Sequence, residues 1–169
     1  MNITDGCTVK KLDQCTPNQI VRELKYGSKG TLSLVALVFN DKNIRSLISF
    51  ENNNPNYKII KTPTNLDVLA YDAKPILKID QTGPFEGYAN NIYDENGVVI
   101  RTADAWMMRV LEHENEFGRQ RGLFDIEKGE LINYREDLTS TGFFGKWKIY
   151  LPNKFESTDD WTTICDFLA

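Results

Sequence analysis

No apolar run in this chain is long. The longest, Leu34-Val-Ala-Leu-Val-Phe39, has six residues, and turn-forming residues bound almost every other one. A bilayer-crossing helix needs roughly 20 apolar residues, so a membrane-spanning helix is excluded. Short runs rich in β-branched and aromatic residues, punctuated by Gly, Pro and Asn, predict strands joined by tight connections. Thr31 to Phe39 and Ile44 to Phe50 read as a hairpin about Asn40-Asp-Lys-Asn43. Tyr57 to Lys61, Leu66 to Tyr71 and Ile76 to Asp80 are shorter strands, with the asparagine-rich stretch 51–56 as a loop. A hairpin is expected from Tyr88 to Arg101, because Asn96-Gly97 supplies the positive φ angles of a tight turn. Leu123 to Ile126 and Glu130 to Tyr134 form another about Lys128-Gly129, and Phe143 to Leu151 is a further strand.

Three segments read as helices. Thr16-Pro-Asn-Gln19 has the form of a capping box with Pro at the first helical position, followed by the stripe Ile20, Val21 and Leu24. Between Ala103 and Phe117, the apolar residues Trp106, Met107, Val110 and Leu111 recur at helical spacing. Asp159 and Asp160 would occupy the first turn of a C-terminal helix burying Trp161 and Ile164. Connections too short for helical crossovers favour an α+β fold: a mostly antiparallel sheet with about three helices on one side. A partly open β-barrel with helices is the alternative. A chain of 169 residues without a repeat or linker fits one globular domain, 1–169.

Composition limits function more than it reveals it. The net charge of −4 lacks the basic footprint of a nonspecific nucleic-acid binder. The N-terminus has no secretory signal, and three unpaired-looking cysteines suit a reducing compartment, so a cytoplasmic location is expected. No constellation points to a metal or an organic cofactor. His113 is the only histidine, and the residue one turn on, where a zinc-protease motif needs another, is Phe117. No Gly-x-Ser-x-Gly elbow is present. Asp72-Ala-Lys74 and Glu23-Leu-Lys25 have the local form of a nuclease motif, but the first lacks a separate leading acid and the second falls on a predicted helix.

Two short stretches resemble known families. Gly145-Lys-Trp147 resembles the Gly-x-Trp of lipocalin-type barrels, which lies on their first strand; here it lies on the last predicted one. Thr16 to Leu24 is similar to the helix that opens the ATPase module of protease-associated unfoldases, yet no phosphate loop ending in Gly-Lys-Ser or Gly-Lys-Thr follows. Neither carries a function across.

By elimination, the leading expectation is a protein-binding module, such as an immunity protein or phage-type inhibitor, rather than an enzyme. Its partner would be another protein, of basic character if the acidic balance steers it. The partner surface expected is the outer helix face of Arg109, Glu112 and Glu116, with Asp159 and Asp160. The alternative is a small-ligand protein or enzyme for an anionic substrate, held by His113, Arg119 and Arg121. A structural subunit of a larger assembly is a third. No feature of the sequence sets an oligomeric state.

Overall fold

Strands account for nearly all the regular structure. The computed structural model describes residues 6–25, 28–60, 66–80, 96–113, 120–133, 140–152 and 161–168. In chain order these form β1 (Cys7–Lys11), β2 (Ile20–Lys25), β3 (Ser28–Val38), β4 (Asp41–Ser49), β5 (Asn56–Ile60), β6 (Asp67–Tyr71) and β7 (Ile76–Ile79). Then follow β8 (Val99–Thr102), β9 (Trp106–Glu112), β10 (Arg121–Asp125), β11 (Glu130–Asn133), β12 (Ser140–Phe144), β13 (Lys146–Pro152) and β14 (Trp161–Leu168). The helical content among the described residues is two 3₁₀ turns, Leu12–Gln14 and Glu51–Asn53. None of it is long and apolar enough to cross a membrane.

Six strands close on themselves. β3 pairs with β4, β4 with β5, β9 with β10 and β10 with β11, all antiparallel. Two parallel seams complete the ring: β5 beside β9, and β11 beside β3. The length of β3 lets it pair with β2 near its start and β11 near its end. β9 likewise serves β8 first and β5 last. β6 and β1 extend the sheet beyond β2, and β12 extends it beyond β8.

Residues of one parity fill the ring: Ala36, Ile48, Tyr57, Met108, Val110, Phe124 and Leu131 belong to one buried cluster. Gly122 of β10 shows that this face is the interior. A Cβ there would lie 3.1 Å from the Tyr57 ring of β5, which is not its neighbour in the sheet. The opposite parity packs Val35 and Leu47 against Val21, Val68, Ala70 and Leu12 in a second cluster. A separate antiparallel sheet, β7-β13-β14, lays Trp147, Ile149, Leu151, Cys165 and Phe167 onto the first cluster.

The expected α+β fold is therefore corrected. The chain is nearly all β, and the three predicted helices are β2, β9 and β14 where they are described. The ring of six strands is closed, and neither it nor the strands flanking it carry helices among the described residues. For β9 the reason is burial on both faces: Met108, Arg109 and Val110 are all buried, so no period-two alternation marks it. For β2, the reach-back of the capping box is real, with the Thr16 N–H donating to Gln19 Oε1 at 3.1 Å. Asn18, at φ 62°, then turns the backbone away from a helix into the strand. In β14 the buried positions are Cys165 and Phe167, a period of two, not the helical set containing Ile164. The first arm of the hairpin expected at Tyr88 to Tyr93 lies outside the described residues; its return arm is β8.

Candidate functional site

Where β7 and β13 meet the barrel, the core is concave rather than filled. A cavity of about 460 Å³ opens there, in the size range of roughly 300–1,000 Å³ typical of small-molecule sites. Its floor is apolar: Leu34 of β3, Met108 of β9, Phe124 of β10 and Ile149 of β13 are buried side chains, and Leu77 of β7 joins them. The polar groups sit on the rim, among them Thr16, Asn18, Asp72, Lys74 and Glu127.

Two clamped segments shape that rim. In the first, the Asn18 N–H donates to the Val35 carbonyl at 2.8 Å, and Asn18 Nδ2 donates to the Ile126 carbonyl at 2.9 Å. Gln19 Nε2 donates to the Tyr71 carbonyl at 3.2 Å, tying the same segment to β6. The second is the turn after β10. Asp125 is 2% exposed, and its Oδ1 accepts the N–H groups of Glu127 at 3.1 Å and Lys128 at 3.0 Å. Gly129 (φ 67°) completes that turn, where a Cβ would press within 2.6 Å of Pro17. Side-chain amides and a buried carboxylate that satisfy backbone groups hold a loop in one conformation. The rim is preorganised.

The site residues expected from sequence lie elsewhere. Arg109 is 9% exposed, on the face of β9 opposite Met108 and Val110. Glu112 ends β9 on the interior face, in register with Tyr57, and its Oε2 is buried without a hydrogen bond. Burial, and then the Glu112 charge, push the Tyr57 hydroxyl up to about 12. Arg109 and Glu112 thus point to opposite faces of a strand, and the shared outer helix face does not exist. His113 is exposed just past β9, its N–H donating to the Tyr57 carbonyl at 2.8 Å. Arg121 is exposed at the start of β10, opposite Leu111. Neither His113 nor Arg121 lines the apolar cavity. Glu116, Arg119, Asp159 and Asp160 lie outside the described residues.

Among the described residues no group of three or more His, Cys, Asp or Glu side chains could hold a metal ion. The cysteines are free thiols. Burial raises the pKa of Cys15 and carries that of Cys165 up to about 12, so neither offers a ready thiolate. Sequence reasoning missed the cavity. Two of its rim segments, Thr16 to Gln19 and Asp72-Ala-Lys74, carry other local signals, of a capping box and of a nuclease tripeptide, but none that marks a shared concavity. Comparison with protein-family models, with curated proteins and with solved structures finds no match.

Proposed function

We propose that the protein binds a small amphiphile, its apolar body in the cavity floored by Leu34, Met108, Phe124 and Ile149 and its anionic end at Lys74. The observation that carries this reading is the floor itself: buried apolar side chains facing a cavity of about 460 Å³ under a polar rim. Such a floor gains about 0.8 kcal/mol for each methylene it removes from water. Lys74 is exposed on the rim and makes no ion pair with another described residue, which leaves its ammonium for a carboxylate head. The clamped rim lowers the ordering cost of binding.

A homologous series of alkyl carboxylates from six to twelve carbons, titrated calorimetrically, tests this. Affinity should rise about fourfold per methylene, as 0.8 kcal/mol requires, and level off once the cavity is filled. Ala73→Phe places a ring in the cavity wall and should abolish binding while unfolding remains cooperative. Lys74→Met should weaken the carboxylates and leave their methyl esters unchanged. Affinity that ignores chain length, or survives Ala73→Phe, would refute the reading.

A further inference from the structure

A second concavity lies on the outside of the barrel, chemically the reverse of the first. Two adjoining hollows, of about 440 Å³ and about 170 Å³, share Glu51 and His113. Their floor is a row across four strands: Ser33 of β3 stands opposite Ser49 of β4, Ser49 opposite Asn56 of β5, and Asn56 opposite Leu111 of β9. At about 4.8 Å per strand spacing the row spans roughly 14 Å.

One donor of each asparagine amide in this wall is turned to backbone. Asn54 Nδ2 donates to the Asn52 carbonyl at 3.4 Å, Asn56 Nδ2 to the Asn54 carbonyl at 3.2 Å, and Asn96 Nδ2 to the Pro55 carbonyl at 2.8 Å. Each of the three amides spends one N–H on backbone, and the Oδ1 atoms of Asn54 and Asn56 accept no hydrogen bond from another described residue. Asn96 Oδ1 is buried with no hydrogen bond, an unmet acceptor in the wall. Glu51 adds an exposed carboxylate, oriented by the Thr31 hydroxyl, which donates to its Oε1 at 2.9 Å. At the far end Glu23 is already balanced by Lys58 at 4.0 Å, so among the described lining residues the uncompensated negative charge is that of Glu51.

We propose that this groove is a binding site for a protonated primary or secondary alkylamine, its ammonium held by Glu51 and the amide oxygens of Asn54 and Asn56. The Glu51 carboxylate beside the amide oxygens of Asn54 and Asn56 is complementary to a group with several N–H donors, one positive charge and no acceptor, which describes an ammonium. Among the described residues no Phe, Tyr or Trp lines either hollow, which disfavours quaternary ammonium ions, for these need a cage of such rings. One free carboxylate is too few for a tight calcium site. The ammonium could belong to a free polyamine or to a lysine side chain, and the two sources can be told apart by experiment. The inference is independent of the apolar cavity.

Titration of the full chain with spermidine at low salt is the test. Binding is expected, with Glu51→Gln weakening it at least tenfold; Gln keeps an acceptor for Thr31, so the local fold survives. Asp104→Asn makes the same charge change at the opposite end of β9 and should leave the affinity within twofold. Ala73→Phe in the apolar cavity should also leave it unchanged. Capped lysine binding as tightly as spermidine would identify a protein side chain as the source; much weaker binding would identify a free polyamine. Absence of spermidine binding, equal losses in Glu51→Gln and Asp104→Asn, or displacement of spermidine by calcium or a neutral oligosaccharide would overturn the proposal.

Discussion

Replacing Trp147 with Phe separates two kinds of force at the junction between the barrel and the β7-β13-β14 sheet. Trp147 is 1% exposed, stacks on Phe167 with ring centroids 4.9 Å apart, and meets Phe50 edge-on at 6.3 Å. Its Nε1 donates to the carbonyl of Gly97 at 2.7 Å, and Gly97 is itself buried. Phe keeps most of the stacking area but leaves that carbonyl dry and unpaired, which costs about 1–3 kcal/mol. The smaller ring also leaves a void on the order of 40 Å³, worth about 1 kcal/mol at roughly 24 cal/mol per Å³. A loss of about 2–4 kcal/mol is expected, or a fall in melting temperature of about 5–15 °C for a chain of this length. Urea unfolding followed by far-UV circular dichroism measures it as a lower midpoint at unchanged slope. A loss under about 1 kcal/mol would show that Gly97 finds another donor, and that the indole N–H does not fasten the sheet to the barrel.

Two other consequences are open to measurement. Asp125→Ala removes the acceptor for two turn N–H groups and the partner of Lys128 at 3.4 Å, so stability should fall by about 1–3 kcal/mol. Alkyl carboxylate affinity should fall with it, because the same turn forms one side of the cavity rim; a stability loss with unchanged affinity would separate the two. Alkaline stability follows from Cys165 and Tyr57, whose folded pKa values of about 12 stand above their ordinary 9.0 and 10.0. The folded chain keeps protons that the unfolded chain releases, so their stabilisation is whole below pH 9 and is lost as pH rises from 9 to 12. Urea midpoints should hold up to pH 8.5 and decline above it, with Cys165→Ala removing the earliest part of the decline. A flat profile through pH 10 would contradict the burial of Cys165, and one flat through pH 11.5 that of Tyr57 as well.

The parts of the fold that could be read in the sequence are those set by local chemistry. The β10–β11 hairpin follows from Lys128-Gly129, and the alternation of Trp147, Ile149 and Leu151 from one-sided burial of β13. β14 carries both signals: Thr162, Thr163, Ile164 and Phe167 favour a strand, while Trp161, Ile164 and Leu168 fall at helical spacing, and the strand prevails. β9 is different in kind. A strand buried on both faces needs no alternation, and the sequence Trp-Met-Met-Arg-Val-Leu-Glu fits either period. Its conformation is decided by its neighbours in the sheet: β8 just before it in the chain, β10 after it, and β5 about fifty residues earlier.

The same reasoning explains why the cavity is illegible in the sequence although two segments of its rim carry local signals there. Closure of the ring depends on two short parallel seams, Glu130 opposite Leu37 and Asn56 opposite Leu111, and no turn residue encodes a pairing between segments so distant. Once the ring exists, Leu34, Met108 and Phe124 converge on one end of it, and β13 brings Ile149 across from a different sheet. Each is an ordinary core residue by type and position. What distinguishes them is that the space they face is not taken up by another side chain, a property of the assembled layers and of no single segment. The charged rim is visible in the sequence, where Asp72 and Lys74 have the local form of a nuclease tripeptide without its leading acid, but nothing in that segment shows that the two stand above an apolar floor.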